Sequence, residues 1–278
     1  MVGDGVGNHD ILPIMILMDG AMGTLLLSHG VGLDSCFESL NLTRPRLISE
    51  IHRSYAEAGA KVVIANTFGA NRIRLARHGL TKKLETINRL GVRLARQAAP
   101  RAKVFASIGP LGPQGRKLNF GQMYKIFREQ ARALVKEKPD GFIIETMTSL
   151  TEAKASTMAV REVFKKMMLT LVAPVKDPRH WGRDAFRALS ETLRLAGADV
   201  LGTNCGGGPE AGYRFLKALR AVDDGPLCAR PAAGLPGRLL GPQAFAQWMM
   251  KFKKLGCEWI GGCCGTTPEY IRIISESL

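Results

Sequence analysis

The feature that most constrains the fold is an eightfold alternation of short apolar runs with longer amphipathic stretches. The runs are mostly aliphatic and lie at 14–18, 62–65, 104–108, 141–144, 168–173, 200–203, 227–229 and 259–260. The stretches between them have helical spacing and charge, for example 45–58, 82–98, 122–136, 150–164, 184–196, 210–221 and 243–255. A strand followed by a helix, repeated in this way, predicts an α/β fold with a parallel sheet. We therefore predict a single (β/α)8 TIM barrel.

The joints between these elements support the same fold. Gly59, Gly197 and Gly256 each stand between the end of a helical stretch and the start of an apolar run. A helix often ends with a left-handed residue at this point, and glycine adopts that conformation at little cost. No Pro/Ser-rich linker divides the chain, so we predict one domain over residues 11–278, preceded by a flexible, Gly-rich segment at 1–10.

Composition limits the function classes. The chain has 278 residues and a net charge of +15, which favours an acidic partner or simply a basic, solvated surface. Basic residues such as Arg89, Arg93 and Arg96 are scattered over helical stretches, and aromatic residues make up only 6% of the chain, so a nucleic-acid-binding protein is disfavoured. Six cysteines in a chain of this size do not form a secreted disulfide framework. With neither a signal peptide nor an apolar run of about 18 residues, a cytoplasmic protein without a membrane span is expected.

Polar and glycine-rich segments follow the predicted strands directly. They lie at 19–24, 66–71, 109–113, 145–146, 204–205 and 263–264. In a parallel barrel the loops that follow the strands share one rim, where active sites are built. Residues more than two hundred positions apart are therefore expected to meet there.

Three of the six cysteines lie in such segments. Cys205 follows the sixth predicted strand, and the adjacent pair Cys263 and Cys264 follows the eighth, each beside glycines that permit sharp turns. Three thiolates suit zinc with one position left open for a substrate, and the chemistry predicted is transfer of a group to sulfur. The alternative is that these cysteines are small buried residues, as we expect for Cys36, Cys228 and Cys257, which are core or surface positions. A closed structural zinc site is disfavoured because the chain has no CxxC pair.

Several of these segments together resemble one enzyme family. The segments are DGAMGT at 19–24, NLTRP at 41–45, NTFGANR at 66–72, GPLGP at 109–113, ET at 145–146, NC at 204–205 and GGCCGTTP at 261–268. In this order they resemble the homocysteine S-methyltransferase family, most closely the homocysteine-binding module of cobalamin-dependent methionine synthases. The resemblance extends from about residue 14 to residue 274.

This resemblance implies a zinc-bearing TIM barrel with Cys205, Cys263 and Cys264 as ligands. It implies that homocysteine binds the metal through sulfur and takes a methyl group to give methionine, with no catalytic side chain beyond the zinc-activated substrate thiol. It also implies that Asp19 and Glu145 hold the substrate ammonium. The backbone amides of the segment that follows Asp19, at Gly20 and Ala21, are expected near the bound amino acid.

The chain departs from the family pattern at two places. Ala232 stands where the family has asparagine in Pro-Asn-Ala-Gly, which removes an amide able to contact the substrate. The segment 173–181 also differs from the family pattern. His180 within it is interpreted as a loop histidine and not as a catalytic base, because a substrate thiol bound to zinc is already a thiolate and needs little further base. Because of these differences, the alternative function is a zinc/thiol-binding barrel that has lost turnover or changed its substrate.

The methyl donor is not specified by a thiolate site. Members of the family that the chain resembles use methylcobalamin, betaine or S-methylmethionine, and the resemblance to the cobalamin-dependent branch implies methylcobalamin, carried by a separate corrinoid protein. The chain is then either a stand-alone subunit or a fragment of a larger methionine synthase, and its positive charge would assist docking to an acidic carrier.

Overall fold

The predicted barrel is confirmed by the computed structural model, which describes residues 15–173, 181–234 and 238–278. Eight parallel strands follow one another around a single sheet. They are β1 (Ile16–Leu17), β2 (Val62–Ile64), β3 (Lys103–Ile108), β4 (Gly141–Met147), β5 (Met167–Val172), β6 (Val200–Cys205), β7 (Leu227–Pro231) and β8 (Cys257–Ile260). β1 pairs with β8, and a parallel bridge between Met18 and Val62 joins β1 to β2, which closes the barrel. The segment 1–10 and His180 lie outside the described residues.

Helices follow the strands on the outside of the barrel. They are α1 (Met22–Ser28), α2 (Leu40–Thr43), α3 (Pro45–Glu57), α4 (Arg72–Ala76), α5 (Leu84–Ala98), α6 (Phe120–Val135), α7 (Leu150–Val163), α8 (Arg183–Leu195), α9 (Gly208–Arg220), α10 (Pro242–Lys254) and α11 (Pro268–Ser277). The seven predicted helical stretches coincide with seven of these to within a few residues. The other four, α1, α2, α4 and α11, are not among these stretches; α1, α2 and α4 have only four to seven residues, too few to show a helical period. Among the described residues, no helix combines the length and apolar character needed to cross a membrane.

The glycines at the predicted joints have the expected conformation. The φ angles of Gly59, Gly197 and Gly256 are 104°, 105° and 84°, all in the left-handed region. Each follows the last turn of its helix, α3, α8 or α10, and leads into the next strand. These residues therefore end the helices in the way the sequence indicates.

Apolar side chains fill the part of the barrel interior that lies away from the C-terminal ends of the strands. This inner cluster includes Met18, Ile143, Cys228 and Trp259, and the rings of Phe105 and Trp259 are 5.7 Å apart. Side chains two residues apart on a strand point to the same side. Glu145, two residues after Ile143, and Arg230, two residues after Cys228, are therefore directed into the barrel above this cluster.

Candidate metal centre and charged cradle

Three thiols meet at the C-terminal rim of the barrel. The Sγ atoms of Cys205, Cys263 and Cys264 all lie within 4.8 Å of one another, close enough to hold one metal ion. Cys205 Sγ is 2.7 Å from Cys263 Sγ and 3.5 Å from Cys264 Sγ. These are the three cysteines predicted from the sequence, and the fold brings them together from β6 and from the loop after β8.

The backbone at the end of β6 directs Cys205 toward the other two thiols. Cys205 has a φ of 54°, a left-handed conformation that is uncommon for a residue with a side chain. Thr146, at the end of the β4 strand, has a φ of 61°. The Asn204 side chain joins these two positions, because its Oδ1 accepts from the Thr146 amide at 2.7 Å and its Nδ2 donates to Thr146 Oγ1 at 2.8 Å. The same Nδ2 lies 3.8 Å from Cys263 Sγ, within reach of a hydrogen bond to sulfur.

Hydrogen bonds to Thr266 shape the turn that carries Cys263 and Cys264. Both the hydroxyl and the amide of Thr266 donate to the Cys263 carbonyl, at 2.7 and 3.1 Å. The Cys263 amide donates to the Pro231 carbonyl at 3.0 Å, and the Ala233 amide donates to the Cys264 carbonyl at 2.8 Å. Both cysteines are thus fixed to the end of β7 and the loop that follows it.

The three thiols affect one another's ionisation. Hydrogen bonding to Cys263 and Cys264 raises the pKa of Cys205 far above its usual range. Hydrogen bonding from Cys205 and Cys263 lowers the pKa of Cys264 to about 3. The cluster therefore stabilises a thiolate, the form in which cysteine binds a metal.

The donor set fits zinc. Zinc binds thiolate sulfur readily, and a catalytic site supplies three protein ligands and leaves a fourth position for substrate or water. Cys264 is exposed, so the cluster is open to solvent on that side. The other cysteines lie elsewhere, as expected: Cys228 and Cys257 are buried and Cys36 is half-buried.

A buried cluster of three charged side chains spans the barrel interior near the thiols. Arg230 Nη2 donates to Asp19 Oδ1 at 2.9 Å, and Arg230 Nη1 donates to Glu145 Oε2 at 3.3 Å. The relative exposures of Asp19, Glu145 and Arg230 are 3%, 8% and 4%. We call these three residues the charged cradle. Its two carboxylates were predicted from the sequence, but Arg230 was not, because there it is only one basic residue in an apolar run.

Neutral groups also hold the two carboxylates. The Ile64 amide donates to Asp19 Oδ2 at 2.7 Å, and the Ser107 hydroxyl donates to Glu145 Oε1 at 2.6 Å. Burial raises the pKa of Asp19 to about 7, against the lowering effects of Arg230 and of the Ile64 amide. Burial also raises the pKa of Glu145. For Arg230, burial would lower the pKa, but Glu145 and Asp19 outweigh it and keep the pKa above its usual range.

The loop after β1 is fixed beside the cysteine turn. The Ala21 amide donates to Thr266 Oγ1 at 3.2 Å, and the Tyr55 hydroxyl donates to the carbonyls of Ala21 and Thr266 at 3.0 and 3.1 Å. Gly20 packs so closely against Tyr55 and Thr266 that a Cβ atom would lie 2.7 Å from Thr266 Oγ1. The fold therefore brings the predicted segment of Gly20 and Ala21 next to the thiols, although the Ala21 amide is already bonded within the protein.

Ala232, the first departure from the family pattern, lies beside the thiols. It is buried, and its amide donates to the Cys205 carbonyl at 3.5 Å. The backbone of this alanine therefore contacts the backbone of the candidate metal ligand Cys205, at the position where the family pattern has asparagine.

Comparison with known proteins identifies the family. A family model described as homocysteine S-methyltransferase matches residues 16–278. This chain belongs to the homocysteine S-methyltransferase family. This match confirms the resemblance found in the sequence. The chain is therefore a member of a family of methyltransferase enzymes.

Two curated relatives of this family member are methionine synthases. Those of Mycobacterium leprae and Mycobacterium tuberculosis are each 30% identical to it, over 94% and 97% of this chain and 24% and 25% of their own lengths. The chain thus spans about a quarter of the length of these relatives.

Solved structures support the fold. The homocysteine methyltransferase MmuM from Escherichia coli, in forms described as oxidized and metallated, matches with a TM-score of 0.82 for each. The identities are 23% and 24%, over 95% of this chain and 96% of that chain. At this identity the match shows that the two proteins share the barrel.

Proposed function

We propose that this chain is a zinc-dependent S-methyltransferase that binds homocysteine and transfers a methyl group to its sulfur, giving methionine. The observation that supports this most directly is the convergence of Cys205, Cys263 and Cys264 on one point of the rim. Family membership and the methionine synthase relatives favour homocysteine as the thiol.

Each part of the site has a role in this reaction. Zinc, when bound by the three cysteines, would hold the substrate sulfur as a thiolate that is nucleophilic at neutral pH. Asp19 and Glu145, which already pair with Arg230, would also bind the substrate ammonium, because each carboxylate oxygen can accept more than one hydrogen bond. The substrate sulfur would form a bond to the methyl carbon while the donor's bond to that carbon breaks, and the electron pair would stay on the donor.

The methyl donor is proposed to be methylcobalamin on a corrinoid protein or on another part of a longer chain. The methionine synthase relatives support this choice over betaine or S-methylmethionine. A barrel of this kind acts on substrates at its rim, so the corrinoid would approach from the side of the thiols.

A reconstitution assay tests this function. Zinc-loaded protein is incubated with homocysteine and with methylcobalamin, betaine or S-methylmethionine in turn, and methionine is measured. Methionine is expected with methylcobalamin and not with the Cys263→Ser variant. If calorimetry detects no binding of any thiol amino acid to the metal-replete protein, the proposed function is wrong.

A second candidate is a zinc/thiol-binding barrel that has lost turnover or accepts a different thiol. Ala232, whose amide bonds to the Cys205 carbonyl, favours it, because its methyl group cannot donate the hydrogen bond of a carboxamide. Measurable affinity for homocysteine without transfer from any of the three donors would support this candidate over the first.

A further inference from the structure

Two buried hydroxyl side chains, those of Thr266 and Tyr55, join the segment after Asp19 to the turn that carries the thiols. The Thr266 hydroxyl accepts a hydrogen bond from the Ala21 amide and donates one to the Cys263 carbonyl, so a single oxygen atom connects the two segments. The Tyr55 hydroxyl lies within hydrogen-bond distance of the carbonyls of Ala21 and Thr266. We call Thr266 and Tyr55 the clasp.

The clasp is braced from a third element. Tyr55 belongs to helix α3, whereas the two segments that it joins follow β1 and β8. A backbone bond supports the same contact, because the Gly262 amide donates to the Asp19 carbonyl at 3.0 Å. The clasp therefore holds together two segments that are more than 240 residues apart in the chain.

Glycines allow the two segments to lie this close. A Cβ atom on Gly20 would lie 2.7 Å from Thr266 Oγ1 and 2.9 Å from the Tyr55 hydroxyl, and one on Gly261 would lie 2.8 Å from the Asp19 carbonyl oxygen. Neither glycine has a left-handed backbone, so close approach is the reason for glycine at these two positions. The separation of the two segments is thus set by direct packing as well as by hydrogen bonds.

Under the proposed function, the two segments belong to two halves of one ligand site. The three clustered cysteines form the metal half-site, which would bind the substrate thiol. The two carboxylates of the charged cradle, Asp19 and Glu145, form the amino-acid half-site, which would bind the ammonium group. A ligand that bridges two half-sites binds more tightly when their separation is fixed beforehand, because less freedom is lost on binding. A ligand that contacts only one half-site gains nothing from a fixed separation.

We propose that Thr266 and Tyr55 are positioning residues that fix the separation of the metal half-site from the amino-acid half-site, so that the site favours a thiol that reaches both. This inference rests on the proposed function, since it concerns how the same site holds its thiol. Both side chains act through the backbone of Ala21 and of the cysteine turn and need not contact the substrate.

Calorimetry on the zinc-loaded protein with two thiols measures this effect. Homocysteine reaches both half-sites, whereas 1-propanethiol lacks the ammonium and carboxylate groups and can contact only the metal half-site. The ratio of their affinities therefore reports the gain from bridging. The wild type is expected to bind homocysteine about 10- to 100-fold more tightly, the range of a hydrogen bond to a charged group.

Variants that lack one hydroxyl of the clasp should lower this ratio. Tyr55→Phe and Thr266→Val each should reduce it about 3- to 10-fold, because homocysteine must then immobilise the two segments itself, at the cost of roughly one ordered side chain. The affinity for 1-propanethiol and the zinc content should stay within about twofold of the wild type, since the metal half-site keeps its three ligands. Thr266→Ser retains the hydroxyl and should keep the wild-type ratio.

Tyr270→Phe is the matched control for Tyr55→Phe. Tyr270 is also buried, and its hydroxyl donates to the Leu240 carbonyl at 2.7 Å, a bond outside the clasp. In urea denaturation the two variants should lose similar amounts of stability, but Tyr270→Phe should keep the wild-type affinity ratio. A fall in the ratio is then specific to the clasp and is not a general effect of a lost buried hydroxyl.

Several results would overturn this inference. They are an unchanged ratio in Tyr55→Phe, an equal loss of affinity for both thiols, a fall of the same size in Tyr270→Phe, or a Thr266→Ser variant as impaired as Thr266→Val. Tyr55→Phe keeps the ring that packs against Gly20 and therefore tests the inference even if Thr266→Val does not fold. If the wild type binds neither thiol, the proposed function fails; if it binds both and the variants keep its ratio, only the role of the clasp fails.

Discussion

Two residues near the thiols have a backbone conformation that side chains disfavour. Cys205 and Thr146 both have positive φ angles, which cost about 1–2 kcal/mol each relative to an ordinary conformation. Asn204, the residue before Cys205, bonds through its side chain to the backbone amide and the hydroxyl of Thr146. Such local strain is characteristic of functional sites, and here it directs a thiol toward its two partners.

Metal content should depend on the clustered cysteines alone. Cys263→Ser is expected to reduce zinc from about one ion per chain to almost none, because two thiolates are too few for a zinc site. Cys36→Ser is the matched control: Cys36 is half-buried and outside the cluster, and its variant should keep the full zinc content. Atomic absorption of the purified proteins measures both. Loss of zinc from the Cys36 variant as well would count against the assigned ligand set.

Asn204 should matter for zinc affinity as well as for stability. Asn204→Ala leaves the half-buried Thr146 amide without its partner, which should cost about 1–2 kcal/mol of unfolding free energy. It also removes a donor near Cys263 Sγ and should weaken zinc binding about 10- to 100-fold. Urea denaturation and competition with a zinc chelator measure the two effects.

Asn88→Ala provides the control for this prediction. Asn88 is buried and its Nδ2 donates to the carbonyls of Ala70 and Leu84, away from the thiols. Its variant should lose a similar amount of stability with unchanged zinc affinity. Equal zinc affinities in the two variants would show that Asn204 has no effect on the metal site.

At the scale of elements, buried carboxylates fix the loops of the rim. Glu38 Oε1 accepts from the Gly69 amide at 2.6 Å, which holds the loop after β2. Glu152, in α7, accepts from the Leu111 amide at 2.7 Å, which holds the loop after β3. Side chains from outside the barrel thus immobilise the loops on which a rim site depends.

Helix α3 contains a histidine that should make stability depend on pH. His52 is fully buried, and neither ring nitrogen has a hydrogen-bond partner within the described part of the chain. Burial lowers the pKa of His52 to about 4, whereas an unfolded chain has a value of about 6.5. As the pH falls from about 6.5 to 4, only the unfolded state takes up the proton, so the free energy of unfolding falls by about 3 kcal/mol.

The His52→Leu variant tests this dependence. Between pH 7 and pH 4.5, the wild type should lose about 2–3 kcal/mol more unfolding free energy than the variant, as measured by urea denaturation. His78→Gln, at an exposed histidine, should behave like the wild type. Parallel pH profiles for the wild type and His52→Leu would contradict the prediction.

The sequence allowed most elements of the fold to be predicted because their signals are local. An apolar run, a helical period and a glycine at a joint such as Gly197 lie within a few residues of the element they define. The three cysteines were also predictable, because each follows a strand and parallel strands end at one rim. The charged cradle was only partly predictable: Arg230 meets Glu145 and Asp19 from 85 and 211 residues away, and such a pairing depends on how the barrel closes.

At the scale of the whole molecule, ion pairs between helix α5 and the loop after α6 use part of the positive charge. Arg89 and Arg93 of α5 share Glu137, and Arg96 pairs with Asp140. With 39 basic and 24 acidic residues, a large excess of positive charge still faces solvent. The scattered basic surface expected from the sequence therefore contains local ion pairs. The basic residues that remain unpaired produce a positive field that acts on charged partners over longer distances.

Docking of an acidic corrinoid protein should depend on salt. The value of kcat/KM for methyl transfer from such a protein is expected to fall on the order of tenfold between about 0.05 and 0.5 M salt, because mobile ions screen the attraction between the two surfaces. Free methylcobalamin, a small donor without that surface, should show little dependence. Rates from the protein-bound donor that do not respond to ionic strength would contradict electrostatic docking.

The positions of the three thiols along the chain have a consequence for biosynthesis. Cys263 lies 58 residues after Cys205, in the loop that follows the last strand. Until the ribosome has made β8 and this loop, the nascent barrel offers one thiol of three, and β1 has no neighbour on its β8 side. The proposed zinc ion can therefore be held by all three thiols only after β8 and this loop have been made, which is late in the synthesis of the barrel.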